Sequence, residues 1–294
     1  MTDVTTTQTR PAESRSAFRR SLRRFARNRL SVVGAVFIFL IMFSAIFAPW
    51  VAPYPEHAGV AVNFMDANRA PDAKYWLGTD SVGRDVFSRI LFAFRNSLML
   101  GACVVGIAVV AGTAIGMCAG YFGGRTEAIL MRITDIFLAV PSLVLAMAVL
   151  GVAEPSQMLA MIAIALAWWP WHARLVYGIV ISLRNEGYVV AARVLGASPL
   201  RIMLTELLPN CAPNLFTKAS LDMGFVILMG ASLSFLGMGA PPPTPDLGTM
   251  VAEGSLYLPD IWWLSLTSGL AIFVVVLGFN LIADGLRDVF DIVG

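Results

Sequence analysis

Few side chains in this 294-residue sequence have the type and spacing that covalent or metal chemistry requires. The two histidines, His57 and His172, have no serine, cysteine or carboxylate around them in an arrangement typical of a nucleophile or a metal site. The cysteines, Cys103, Cys118 and Cys211, share no metal-ligand spacing. We therefore do not expect an enzyme, and the sequence predicts no cofactor and no metal in this chain.

The sequence also lacks a nucleotide-binding loop. A P-loop needs Gly-Lys followed by Ser or Thr, because its lysine and backbone amides hold the phosphates. The only lysines are Lys74 and Lys218, and they follow Ala73 and Thr217. Any ATP that this protein uses must be bound by another polypeptide.

One apolar run carries polar residues at helical spacing. Asn214, Lys218 and Asp222 recur every four positions and therefore share one helix face. Ionisable groups inside a membrane face a cavity or a partner. Asp222 could line a translocation path, or it could form a structural pair with Lys218 near a helix end, which is the preferred interpretation. Asp135 and His172 are the other candidate path or interface residues.

The helices that position these residues are expected to lie in a lipid membrane. Hydrophobic residues make up 57% of the chain, charged residues 14%, and the mean hydropathy is +0.74. That composition leaves too little polar surface for a soluble globule. We predict an all-α membrane protein with about six spans, because about 20 apolar residues cross a bilayer and such runs occur at about 30–52, 97–121, 128–151, 158–182, 214–238 and 262–283.

The distribution of arginine predicts the orientation. A cluster of arginines precedes the first apolar run, namely Arg10, Arg15, Arg19, Arg20, Arg23, Arg24, Arg27 and Arg29. Positive charge stays on the cytoplasmic side, so both termini are expected there if six spans follow. We divide the chain into a basic cytoplasmic tail (1–29), a first span with an external loop (30–96) and a five-helix core (97–294). Helical spacing of apolar residues from Val86 to Phe94 predicts a short amphipathic helix at the membrane surface within that loop.

The cytoplasmic loop 183–213 is interpreted as two short helices. Gly196 would end the first, since glycine tolerates the left-handed conformation of a helix end. Ser198 can cap the second, Pro199 suits its first turn, and Pro209 is expected to end it. A helix-turn-helix outside the membrane suits a docking element, although an ordinary amphipathic loop would have the same pattern.

Glycines recur at four-residue spacing in the second predicted span. Gly112, Gly116 and Gly120 would leave one helix face without side chains and allow a neighbouring helix to approach closely. The pattern indicates helix packing.

The loop resembles the Glu-Ala-Ala motif of ABC importer permeases, in which it forms the coupling helix that sits in a groove of the ATPase subunit. Ala191, Ala192, Gly196, Leu208 and Pro209 match the motif, and Arg193 and Ala197 lie within it. Val190 stands where the motif has its glutamate. The resemblance implies that these residues form the ATPase-coupling loop.

Other segments are similar to the C-type permease subunit of the dipeptide, oligopeptide and nickel branch of these importers. They are Trp76 to Asp80 with Gly83 to Arg89, then Gly123-Gly124, Met131-Arg132, Asp135 and Pro141-Ser142, then Ser234 to Gly239 with Pro242-Pro243 and Leu247-Gly248, and finally Asn280 with Asp284 to Asp288. They occur in the family's order. The resemblance implies a type I ABC importer permease in a bacterial cytoplasmic membrane.

The family resemblance further implies partners. A second, similar permease, two cytoplasmic ATPases that bind ATP and magnesium, and an external substrate-binding protein would complete the importer, and the substrate would be a peptide or a related small solute. No residue ranks a dipeptide above an oligopeptide, a nickel chelate, glutathione or an opine. An ion-gradient-driven secondary transporter is the alternative, but the internal inverted repeats that it predicts are not seen. A structural subunit of a larger membrane complex is a third class.

Overall fold

The computed structural model describes Phe25 and residues 28–152, 154 and 156–290. The predicted basic tail therefore lies outside the described residues, except for Phe25, Asn28 and Arg29, the last of which starts the first helix. Within the described part, the secondary structure is helical, apart from an isolated bridge between Thr79 and Asp85.

The helices follow the predicted spans in number, with differences in length. In chain order they are α1 (Arg29–Ile46), α2 (Ala48–Val51), α3 (Val86–Phe122), α4 (Gly124–Leu138), α5 (Ser142–Leu150), α6 (Gln157–Leu183), α7 (Gly187–Val194), α8 (Pro199–Ile202), α9 (Leu208–Phe235), α10 (Leu247–Ser255) and α11 (Trp262–Phe290). Among the described residues, 5 helical stretches are long and apolar enough to cross a membrane, or 6 with the bent pair α4 and α5. This confirms the all-α class with about six spans.

The predicted amphipathic helix at the membrane surface is not a separate element. Residues 86–94 form the first turns of α3, which has 37 residues and is about 55 Å long at ~1.5 Å per residue. Val86, Ile90 and Leu91 are buried rather than set at a lipid surface. Because the hydrocarbon core is only ~30 Å thick, α3 must project beyond it.

The projecting end of α3 is enclosed by a cap, which we define as residues 52–85 and 236–261. The buried carboxylate of Asp80 accepts a bond from Arg84 Nε at 2.7 Å and lies 3.3 Å from Arg89 Nη1. Trp263 Nε1 donates to the Thr79 carbonyl at 3.1 Å, which fixes the cap to α11. Asp80, Arg84 and Arg89 are all buried, and their opposite charges lie side by side, which offsets the cost of removing them from water. This end of the bundle is called the cap end, and the end that carries α7 and α8 the loop end.

Close packing of α3 against α6 confirms the prediction from Gly112, Gly116 and Gly120, which we call the glycine stripe. A Cβ on Gly112 would lie 2.5 Å from His172 Cβ, and one on Gly116 would lie 2.4 Å from the Ala173 carbonyl oxygen. A Cβ on Gly120 would lie 2.7 Å from Val180 Cγ1. The two helices therefore approach each other closely along residues 112–120, as small-residue stripes allow in lipid.

The third predicted span, 128–151, is not one continuous helix. It consists of α4 and α5, which meet at an angle of 83° across Ala139, Val140 and Pro141. Proline disfavours helical conformation in the residue before it and has no N–H to donate, so the ladder of hydrogen bonds is interrupted at this point.

The expected stop at Pro209 is also wrong. The chain continues from α8 through a π-helical turn, Met203–Leu207, directly into α9. Pro209 lies just after the π-helical turn, which already interrupts the regular i→i−4 ladder at the point where the proline has no N–H to donate. The second helix of the loop is therefore continuous with a membrane span.

Candidate functional site

The turn between α7 and α8 has the backbone geometry that the sequence predicts. Gly196 has a φ of +83°, and its N–H donates to the Arg193 carbonyl at 3.0 Å. The Ser198 hydroxyl accepts from the Arg201 N–H at 3.4 Å, and Pro199 occupies the first turn of α8. We call residues 187–207 the loop element. Its shape is set by a glycine stop and a serine cap.

One face of the loop element is packed into the bundle. Val189, Ile202 and Leu207 are fully buried, and they share a hydrophobic cluster with Met117 of α3 and Val180 of α6. Because interiors are close-packed, a displacement of this face cannot be absorbed locally. The loop element is therefore mechanically joined to three membrane helices, α3, α6 and α9.

Polar contacts reinforce that junction. The Arg193 guanidinium lies 5.6 Å from the ring centre of Tyr121, near the end of α3, within the range of a cation–π contact. Arg184 Nη1 donates to the Gly120 carbonyl at 3.0 Å, which ties the end of α6 to α3.

The opposite face of the loop element is open and apolar at its tip. Val194 is 82% and Leu195 87% exposed. Beside them lies a groove of about 290 Å³ between α7 and α8, and Gly196, Arg201 and Glu206 are among the residues that line it. Large apolar side chains exposed together beyond a membrane span, with charges around them, are typical of a protein contact.

The predicted coupling residues divide between these two faces. Ala191, Arg193, Gly196 and Pro209 are exposed, whereas Ala192, Ala197 and Leu208 are half-buried against the bundle. Sequence reasoning missed Val194 and Leu195, and the signal available was two adjacent apolar residues just before a helix-stopping glycine outside a span.

The candidate polar residues inside the bundle form two separate groups. In the first, Lys218 Nζ pairs with the Asp222 carboxylate on α9, and His172 Nε2 from α6 lies 3.3 Å from the other carboxylate oxygen of Asp222. His172 and Asp222 are fully buried. This group joins α6 to α9 and, in this conformation, does not line an open path.

The second group joins α4 to α6. Asp135 pairs with Arg174, and the Tyr177 hydroxyl donates to Glu127. Both partners of the first pair are partly exposed, with 47% of the Asp135 side chain and 37% of the Arg174 side chain accessible. Arg174 was not predicted as a site residue, although an arginine within a span requires an acidic partner and Asp135 was already a candidate.

The interruption between α4 and α5 lies next to this second group. Ala139, Val140 and Pro141 are exposed. Phe137, just before them, packs on Trp169 in the middle of α6, with ring centres 5.4 Å apart. Irregular backbone at membrane depth is stable only where protein covers it or where it lines a water-filled cavity. This surface of the chain therefore requires either a partner or an aqueous path.

Two family models match the chain. Residues 112–291 match "Binding-protein-dependent transport system inner membrane component", and residues 16–71 match "N-terminal TM domain of oligopeptide transport permease C". The first match covers the glycine stripe, the loop element and α9 to α11.

Curated relatives are similar over nearly their whole length. The probable D,D-dipeptide transport system permease protein DdpC of Escherichia coli K12 is 43% identical over 89% of this chain and 87% of its own. The di/tripeptide transport system permease protein DppC of Pseudomonas aeruginosa is 40% identical over 91% and 89%. A glutathione transport system permease protein, GsiD of Escherichia coli O6:K15:H31, is 38% identical over 96% and 92%.

Solved structures share the fold at low sequence identity. A chain of the MetNI methionine ABC transporter, in an inward-facing conformation, superposes with a TM-score of 0.57 at 18% identity. The superposition covers 69% of this chain and 97% of that one. An ABC transporter fold therefore accounts for most of the bundle.

Proposed function

The chain belongs to the family of binding-protein-dependent transport system inner membrane components, and we propose that it imports short peptides by taking its driving force from separate ATPase subunits through the loop element. It is a multi-pass protein of a bacterial cytoplasmic membrane, and its relatives are transport permease subunits rather than enzymes. In this proposal the chain binds no cofactor, and ATP and magnesium are bound by the ATPases.

The observation that carries the proposal is the two-sided packing of the loop element. Its tip exposes Val194 and Leu195 beside a groove, while Ile202 and Leu207 are buried against three spans. A protein that contacts the tip and moves would therefore displace those spans. The arginine cluster of the amino-terminal tail favours a cytoplasmic location for this end, where ATP is available.

The substrate class follows from the relatives. The three compared proteins are named for a D,D-dipeptide, for di- and tripeptides and for glutathione. Each is a short peptide or a close analogue, so we assign a short peptide to this chain. An external binding protein would deliver it at the cap end, and a second permease would cover the exposed surface around Val140.

Co-purification from the native membrane tests the proposal. In wild type, P-loop ATPases and a second permease should accompany the tagged chain. Gly196→Val should lose most of the ATPase, because a β-branched residue is strained at a φ of +83°. The matched control is Gly269→Val in α11, where a Cβ would meet nothing within 4 Å.

The co-purification results distinguish an ATPase-driven importer from an ion-driven transporter. Loss of ATPase in Gly196→Val alone, with insertion of both variants unchanged, supports the proposal. If wild type purifies without any ATPase, or if uptake of dipeptide into vesicles depends on an ion gradient and not on ATP, the proposal is wrong.

A further inference from the structure

An open groove runs between α1 and α3 toward the cap end of the bundle. It measures about 500 Å³ and is lined by Met42 and Ile46 of α1 with Trp50 of the adjoining α2 on one side and by Leu98 and Met99 of α3 on the other. Its walls are apolar except for Arg95, which is exposed. We call it the α1/α3 groove.

Arg95 differs from the other basic side chains of this part of the chain in having no acidic partner. Among described residues 53–96, Arg69 and Lys74 pair with Asp66, and Arg84 and Arg89 pair with Asp80, at distances of 2.7–3.3 Å. No described residue forms an ion pair or a side-chain hydrogen bond with Arg95. Its guanidinium is therefore available to an anion from outside the chain.

Neighbouring polar groups indicate that Arg95 lies near the membrane surface. The Asn96 side chain donates to the Pro245 carbonyl in the cap at 2.8 Å, and Gln157, at the start of α6, donates to the Asn96 carbonyl at 3.3 Å. Trp50, at the rim of the groove, is 77% exposed. Tryptophan and arginine at the end of a span are typical of the headgroup region.

We propose that the α1/α3 groove binds an anionic phospholipid of the leaflet at the cap end. One acyl chain lies along Ile46, Leu98 and Met99, and the Arg95 guanidinium donates two hydrogen bonds to the phosphodiester. Arginine suits this role because its planar fork matches two phosphate oxygens and its charge is permanent. A free phosphate ion would leave the apolar walls uncovered, so a lipid fits both parts of the groove.

The proposal depends only on a membrane-spanning bundle and not on any ATPase contact. It is tested on the full-length chain, purified in detergent with its associated subunits and titrated with phosphatidylglycerol in native mass spectrometry. Arg95→Gln should bind phosphatidylglycerol about tenfold more weakly than wild type, the loss expected for one charge-assisted contact. Arg69→Gln, which removes the same charge at the cap end away from the groove, should bind as wild type does.

A second variant tests the acyl-chain site without touching the charge. Met99 is 57% exposed, so Met99→Trp can fill the groove without a clash, and it should also weaken lipid binding. Equal binding by wild type and Arg95→Gln, or equal loss in Arg95→Gln and Arg69→Gln, would overturn the proposal. So would loss of a co-purifying subunit in Arg95→Gln with lipid binding unchanged, because the groove would then be a protein interface.

Discussion

Because Gly112 of α3 is a glycine and has no Cβ, the backbone of α3 can lie directly against α6. A Cβ there would lie 2.6 Å from the Trp169 carbonyl oxygen as well as 2.5 Å from His172 Cβ. Backbone atoms cannot rotate away, so Gly112→Ala should separate α3 from α6 and destabilise the protein by about 1–3 kcal/mol. Thermal unfolding in detergent measures this loss. Gly106→Ala, on the same helix with nothing within 4 Å, should unfold as wild type does, and equal effects of the two variants would contradict the packing account.

The two interpretations of Lys218 and Asp222 differ in their response to paired substitution. Asp222→Leu leaves Lys218 without its partner, and because the Lys218 side chain is 31% exposed, the loss of stability should be about 1–3 kcal/mol. The double variant Lys218→Met with Asp222→Leu should recover most of that stability if the pair is structural. Peptide uptake should then recover with stability. A double variant that is stable but does not transport would instead assign Asp222 to the path.

At the scale of elements, hydropathy was sufficient to predict the existence of the spans and insufficient to predict their ends. The predicted start of the second span near residue 97 missed about three turns of α3, because Ser88 and Arg89 are polar. They are accommodated by the cap, where Asp80 lies beside Arg89 and Tyr54 N–H donates to Ser88 Oγ. A scale that assumes lipid around every residue cannot anticipate such tertiary partners.

The loop element shows the same division between local and tertiary information. The stop at Gly196 and the cap at Ser198 are local properties, and both were predictable. Continuation through Pro209 was not, because it depends on the π-helical turn Met203–Leu207, which no local signal in the sequence indicates. The pairing of Asp135 with Arg174 also required the fold, since the two residues are 39 positions apart.

The cap carries an electrostatic contribution to stability that depends on pH. The hydrogen bonds from Lys74 and Tyr75 lower the pKa of Asp66 to about 2. Because the pKa is lowered in the folded state, the stabilisation is present above the unfolded pKa near 4 and is lost as pH falls toward 2. The Tm of wild type should therefore exceed that of Asp66→Asn at pH 5, and the difference should shrink toward zero near pH 2. A difference that is independent of pH would contradict this assignment.

At the scale of the whole molecule, the bundle has two ends with different mechanical properties. The cap end is fixed by buried charges around Asp80 and by the contact of Trp263 with Thr79. The loop end offers an exposed tip joined to three spans. Between them, the 83° bend from α4 to α5 interrupts one span. Under the proposed function, motion that enters at the tip would displace α3, α6 and α9, while the cap holds the other end of α3.

The most direct test of this account is site-specific photo-crosslinking in native membranes. A photoreactive side chain is placed at Leu195, at the tip of the loop element, or at Val60 in the cap, which is similarly exposed at 83% against 87%. The account predicts that Leu195 crosslinks to a P-loop ATPase and that Val60 does not. Crosslinking of the ATPase at Val60, or its absence at Leu195 in membranes that transport peptide, would contradict the central claim.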